Sequence, residues 1–466
     1  MNIKQKAIEH LSSLFKESLI EARAEKFLEA IVTTPLKESD RVEVEKSLRD
    51  AGFHVAMLGV SGVEKGYRIW GYLFQNENEL TDYLNNAHKG HKELGAQMEL
   101  FTFKEQSPGS TFWLSQGVEL RKQMQNYLLK KLGPSYLEVK TPQLLKKSLW
   151  EQSGHLAAFA ENMFFVDDEH GLKPMNCPCH MLIFKEKIRS YKDLPYRIYE
   201  YGEVFRNEAS GALNGLLRVR NMTIDDGHIF CTIDQIKDEV EAFMQIIKNV
   251  YSEFGFNKVS VYLSTRPENY QGDSEVWNKS ESMLRELQLE EKPGEGAFYG
   301  PKVEFHLEDS LGRMWQCGTI QLDFILPERM GLKYTASSGE QQTPVVLHRA
   351  IFGTLERFTA ILLESYQGWL PAFIAPTQLM IIPAQSDLYE EAVKIQDDLP
   401  GIRVIIGDAS IGKSLHRAQQ LRVPFAWIVG KKELEAKSIT VKCMQNNEQS
   451  TVLYQDAKSA LYKNCS

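Results

Sequence analysis

Residues 196–231 read YRIYEYGEVFRNEASGALNGLLRVRNMTIDDGHIFC. The aromatic and β-branched run at 196–205 and the HIFC run at 228–231 read as strands, with a turn beginning at FRNE between them. Runs of the same kind recur as MFFV (163–166), KVSVYL (258–263), KVEFHL (302–307) and IQLDFIL (320–326), separated by turns and by one long helical pattern from Ile233 to Tyr251. Strands joined by hairpins and occasional helices predict a mixed, mainly antiparallel sheet rather than a parallel dinucleotide-binding one.

Upstream, Leu120, Met124, Tyr127, Leu128 and Leu132 line one face of a helix that Gly133-Pro134 stops, and YLEV follows as a short strand. Earlier still, apolar spacing from Ile3 to Val32 predicts one or two amphipathic helices. A helix near Val42–Leu48 and strands FHVAMLGV and YRIWGYLF complete a small α/β unit. Downstream of a linker at Pro371–Pro376, LMIIPA, IRVIIG and PFAWIVG alternate with helices near 388–399 and 414–421, the pattern of a parallel α/β domain. The expected fold class is therefore α+β, in three domains at 1–92, 93–373 and 376–466.

The chain has 466 residues, 43% of them hydrophobic, enough for two or three cores. Its 62 acidic and 54 basic residues give a net charge of −8, which excludes a protein that coats nucleic acid through bulk positive charge. Six unevenly spaced cysteines point to a reducing compartment. No stretch approaches the ~20 apolar residues of a membrane span, and no secretory signal opens the chain, so a cytoplasmic protein is expected.

Several residue types suggest chemistry. Cys177, His228 and His348 would suit a zinc site with an open position, while the CPCH run at 177–180 could instead form a compact metal knuckle or hold buried thiols. Arg206 and Glu208, two apart at a strand end, would point to one face, the arginine toward a phosphate and the carboxylate toward an amine. Arg218, Arg220 and Arg357 add positive charge for a triphosphate. The paired acids Asp225 and Asp226 precede His228, and FYGPK places Tyr299 and Lys302 at a turn. No phosphate-binding loop of the G-x-x-x-x-G-K-[ST] type occurs, so bound ATP would lie on a sheet with arginines.

In order, KPMNCPCHMLIF, FRNEASGALNGLLRVR, DDGHIFCT, LSTRPE, GEGAFYGPKVEF, QCGTIQLDF, VVLHRAIFGTLERF and PAFIAPTQ resemble the threonyl-tRNA synthetases, a class II aminoacyl-tRNA synthetase family. The resemblance runs from about Leu94 to the end. It implies a class II catalytic core, an antiparallel sheet flanked by helices, followed by an anticodon-binding-like α/β domain. It further implies an enzyme that activates L-threonine with ATP and Mg2+, transfers it to tRNA(Thr), and works as a homodimer carrying one zinc per subunit.

By the same resemblance Cys177, His228 and His348 ligate zinc. Arg206 holds the α-phosphate, Glu208 the adenine, and Arg218 and Arg357 the outer phosphates, with Met222, Gln316 and Thr319 completing the ATP site. Met175, Asp226, Tyr299, Lys302 and Gln321 surround the amino acid, Asp226 taking the hydroxyl proton; Arg206, Arg357 and Lys302 are the catalytic set. Pro142 ends the family's first, dimer-forming motif. This chain departs from the family at Met222 (usually Phe), Ile224 (usually Gln) and Cys179 (usually Gly), and carries Ser414, His416 and Met444 where Lys or Arg is usual. The residues ahead of the core are too few for both a ubiquitin-like and an editing domain, so a form without editing in cis is expected. Two alternatives stay open: transfer of threonine to a carrier protein or small molecule, and a non-catalytic regulator.

Overall fold

The computed structural model describes residues 18–21, 27–32, 40–63, 66–74, 89–309, 312–408 and 410–465. At its centre is an eight-stranded sheet: β1 (Tyr136–Glu138), β2 (Tyr196–Phe205), β3 (Asn221–Cys231), β4 (Val259–Ser264), β5 (Glu290–Lys292), β6 (Lys302–Glu308), β7 (Met314–Asp323) and β8 (Val345–Ala350). Their spatial order is β5-β4-β6-β7-β8-β3-β2-β1. Only the outer pairs, β1 with β2 and β4 with β5, are parallel. The mainly antiparallel α+β architecture expected from the strand runs is the one observed.

Alternation along each strand divides the sheet into two unlike faces. Ile229, Val303, Ile320, Leu322 and Leu347 point to one side, where α1 (Ser115–Leu132), α3 (Ile236–Glu253) and α4 (Leu355–Tyr366) bury their apolar stripes. The other face is covered near its centre by α2 (Cys177–Lys185), whose Met181 and Phe184 pack on Ile198, Phe230 and Val346. As expected, α1 ends at Gly133, which takes φ +70°, a conformation costly for any residue with a Cβ.

Three expectations need correction. MFFV is not a strand: Phe165 makes only an isolated bridge to Gly171. IQLDFIL spans a boundary, since β7 stops at Asp323, whose carboxylate accepts the Ile325 and Leu326 N–H groups at 2.8 and 3.0 Å and starts the helix Ile325–Arg329. The helices expected between Ile3 and Val32 are replaced, where described, by strands Ser18–Glu21 and Phe27–Val32; the latter pairs with Gly66–Phe74, so cross-strand pairing overrides the local apolar spacing. The parts of that expectation on 1–17 and 22–26 lie outside the described residues. The helix Asp40–Asp50 and the strands His54–Val63 and Gly66–Phe74 occur as expected.

Beyond Pro376, Leu379–Pro383 lies parallel between Val404–Ile406 and Phe425–Val429. Two further strands, Ser438–Cys443 and Gln449–Leu453, add antiparallel, so this sheet is mixed rather than wholly parallel. Glu99 and Arg417 form a two-pronged ion pair, 2.8 and 2.6 Å, between this unit and the residues entering the central sheet.

Candidate active site and metal centre

Cross-strand register assembles the site. His228 on β3 faces His348 on β8, His348 faces Gln321 on β7, and Gln321 faces Lys302 on β6. Directly opposed residues share a face, so this row projects toward α2. Cys177 opens α2, with Pro178 in the first turn where its missing N–H costs nothing. Its sulfur and one ring nitrogen from each of His228 and His348 lie within 4.8 Å of one another, all three side chains buried. Cys179 lies instead beside Thr141, Lys173 and Glu200, so the CPCH run is not a compact knuckle.

The chemistry of this trio fits a cation. His348 Nε2 sits 2.8 Å from the Asp323 carboxylate, which orients the ring and turns Nδ1 toward His228. That nitrogen is 2.9 Å from His228 Nε2. Burial, together with His348 and His180, pushes the His228 pKa far down and keeps the ring neutral. Burial and the charges of Asp226 and Asp323 push the Cys177 thiol well up, so it ionises only against a cation. Two imidazoles and one cysteine sulfur are a zinc donor set with a coordination position to spare.

Toward the phosphate side, β2 stops at Phe205, so strand alternation does not govern Arg206 and Glu208 as expected. Arg206 Nε donates to the Pro174 carbonyl at 3.3 Å, its guanidinium lies 5.8 Å from the Phe159 ring centre, and its charge interacts with Glu208, Tyr299, Cys177 and Asp226. Glu208 is held by Arg218 at 2.7 Å, while Arg220 donates to the Glu208 carbonyl. Arg357 follows the α4 cap: Thr354 Oγ1 accepts its N–H, and its guanidinium donates to the carbonyls of Leu217 and Gln316. One arginine thus ties the 206–220 loop to β7.

Asp225 and Asp226 do not act as a pair, because successive strand residues point to opposite faces. Asp226 faces the site and accepts from Asn176 Nδ2 at 2.9 Å, whereas Asp225 is buried on the helix side, accepting the Ile351 N–H at 2.7 Å. Burial raises the Asp225 pKa to about 7 although Arg349 is close. Gly202 on β2 lets Asn176 approach: a Cβ there would lie 2.3 Å from its amide. Met222 and Ile224, on the Asp226 side of β3, pack with Val204 and Val219 into a small apolar floor.

A bulge settles the remaining pocket. Phe305 opposes Gly318 but His306 opposes Gln316, so one extra residue in β7 returns Gln316 to the face of Thr319 and Gln321. Gln316 then donates to Glu304 at 2.9 Å, and Glu304 also pairs with Lys302. Tyr299 donates to Gln321 and lies with its ring centre 4.9 Å from that of His348. Met175, partly exposed, precedes α2.

Sequence reasoning passed over His155 and assigned His180 no role beyond a knuckle. His155 is buried 5.7 Å from Phe298; its Nδ1 contacts Ser153 Oγ at 2.9 Å and its Nε2 has no partner. The one sequence signal for His180 was its position three residues after Cys177, the same helix face.

Residues 164–366 match the family described as tRNA synthetase class II core domain (G, H, P, S and T), and residues 378–464 match the anticodon binding domain. The chain is 45% identical over 412 residues to a threonine–tRNA ligase of Ehrlichia canis (strain Jake), covering 84% of this chain and 65% of that protein. It is 44% identical over 449 residues to one from Wolbachia pipientis subsp. Culex pipiens (strain wPip), covering 91% and 70%. It thus spans about 65% of the length of the first of these relatives. Among solved structures, the RNA binding domain of threonyl-tRNA synthetase from Cryptosporidium parvum Iowa II superposes with a TM-score of 0.77 at 37% identity, over 81% of this chain and 98% of that one. A Giardia lamblia prolyl-tRNA synthetase shares the fold, with a TM-score of 0.63 at 18% identity over 82% and 81%.

Proposed function

The chain belongs to the threonyl-tRNA synthetase family of class II synthetases, and we propose that it activates L-threonine with ATP and Mg2+ and transfers it to tRNA(Thr). The observation that carries this reading is the buried Cys177, His228 and His348 trio in one row with Gln321 and Lys302, within the electrostatic reach of Arg206. Zinc held there would offer a Lewis acid for the amino and hydroxyl groups of threonine. Asp226, oriented by Asn176, accepts the hydroxyl proton, and Tyr299 and Gln321 close the amino-acid side. A site built around a hydroxyl leaves polar groups unpaired when valine enters, so it rejects that isostere far better than an apolar pocket could.

Activation is in-line attack of the threonine carboxylate on the α-phosphorus of ATP, the new acyl–phosphate bond forming as the bond to the bridging oxygen breaks and pyrophosphate leaves. The protein contributes position and charge rather than a nucleophile. Arg206 grips the α-phosphate, Arg357 and Arg218 take the outer phosphates, and Glu208 turns to the adenine once Arg218 leaves it for phosphate. Met222 and Ile224 supply an apolar floor with Val204 and Val219.

Transfer to tRNA is favoured over another acceptor by the anticodon-binding match at 378–464. Ser414 and Met444 are buried, so their lack of charge does not thin an RNA-facing surface; among the three unusual positions only His416 is exposed. The domain division at 92/93 and 373/376, a homodimer built partly on exposed Leu137 and Leu144, and a reducing cytoplasm suited to six free cysteines belong to the same reading. We extend it to serine, which also offers a hydroxyl to the same site.

ATP–pyrophosphate exchange across threonine, serine and valine, then charging of tRNA(Thr), tests the function. Threonine-dependent exchange and charging are expected; exchange without charging would move the acceptor elsewhere, and no exchange would refute the enzyme. Cys177→Ala should lose zinc, measured by metal analysis, and unchanged content would remove Cys177 as a ligand.

A further inference from the structure

Against His228 Nδ1, the ring nitrogen not turned to His348, lies a chain of buried polar groups that the adenylation steps do not use. Lys173 and Glu200 are 0% exposed and 3.3 Å apart. Lys173 also donates to Thr141 Oγ1 at 2.7 Å, and Thr141 gives Glu200 both its hydroxyl, at 2.6 Å, and its N–H, at 3.0 Å. The Thr141 N–H and hydroxyl and the Lys173 ammonium all donate to the Glu200 oxygens. Glu200 is therefore a carboxylate and can only accept.

Proton positions follow in sequence from that fact. His180 Nε2, 3.2 Å from Glu200, must be an N–H. Lys173 already balances the Glu200 charge, so the hydrogen bonds close with His180 donating at Nε2 and accepting at Nδ1. That accepting nitrogen sits 2.7 Å from His228 Nδ1, which must then be the donor. His228 Nε2 is left bare, facing the Nδ1 of His348 at 2.9 Å.

We infer that His180 is a positioning residue: backed by Glu200, Thr141 and Lys173, it holds His228 in the Nδ1–H tautomer, so that Nε2 is presented to a zinc shared with His348 and Cys177. This rests on the metal reading above. It extends the usual arrangement, in which a carboxylate or carbonyl orients a metal-bound histidine directly, by one intervening imidazole. Without His180, His228 is free to carry its proton on Nε2 and to spend it on His348, closing the metal position with a histidine–histidine hydrogen bond.

The test is zinc affinity by competition with a chromophoric chelator, joined to the His228 tautomer in metal-free protein by NMR of selectively 15N-labelled histidine. His180→Phe should bind zinc about 10- to 100-fold more weakly. His180→Gln should recover much of the loss, because its amide can accept from His228 and donate to Glu200. Metal-free wild type should show His228 protonated on Nδ1, a measurement that needs no variant to fold. A wild type that takes up no zinc overturns the metal reading and this inference together. A zinc-binding wild type whose His228 carries its proton on Nε2, or a His180→Phe variant of unchanged affinity, overturns the inference alone.

Discussion

At the residue scale, charge placement decides what each side chain can do. Arg206→Ala should lower ATP–pyrophosphate exchange by about 10²- to 10³-fold, the usual consequence of removing one group aimed at developing charge. Arg206→Lys should not restore it, because an ammonium cannot reproduce the planar fork. Both variants should unfold at the wild-type temperature within a few degrees. Glu356 illustrates a different effect. Burial pushes its pKa to about 7 although Arg121 and the Thr223 N–H oppose that shift. A carboxyl raised in the folded state stabilises below its unfolded pKa, and this contribution is lost as pH rises from about 4.5 through about 7. Glu356→Gln should flatten that decline in denaturant titrations run across the window. Cys177 and Arg206 were visible as candidates in the sequence because their types are unusual in such places; His180 was not, since its task exists only through Glu200, a residue twenty positions away with which it shares no pattern.

Elements are coupled through buried ions. Glu364 near the end of α4 meets His91 Nδ1 at 2.7 Å and pairs with Arg313, while His91 Nε2 accepts the Leu216 N–H at 3.1 Å. One carboxylate thereby joins α4, the helix His91–Gln97 and the 206–220 loop. Burial raises its pKa, yet the His91 hydrogen bond and Arg313 bring it to about 2. A depressed carboxyl stabilises above its unfolded pKa and loses that effect as pH falls from about 4.5 toward 2. Glu364→Gln should cost roughly 1–3 kcal/mol at neutral pH, remove this acid-side dependence, and speed hydrogen exchange at 214–218; unchanged exchange there would sever the proposed link to the loop. The strands of the central sheet were legible because their apolar alternation is strong. The β7 bulge was not: simple parity puts Gln316 opposite Thr319, and only the observed register reverses it.

On the scale of the whole molecule, one tie between units is an exposed ion pair. The Glu99–Arg417 pair is nearly half exposed on both sides, so removing it should cost no more than about 1 kcal/mol and should not separate the anticodon-binding unit. A charge-swapped double variant should match wild type in unfolding temperature and tRNA charging. Oligomerisation carries a sharper prediction: Leu137, 49% exposed on the edge strand β1, should weaken a homodimer when changed to Asp, read by sedimentation as a shift toward monomer. A monomeric wild type would exclude that assembly.

What the sequence by itself determined is the α+β class, the antiparallel sheet and the two-unit order of core and anticodon-binding domain, because alternation, helix stops and ordered motifs are local signals. Tertiary structure alone decided how those residues relate. It turned Gln316 inward through a bulge, set His348 beside His228, and placed His180 behind His228. Each of these depends on which strands lie side by side and in what register, a choice made by burial of the whole sheet rather than by any residue's neighbours along the chain.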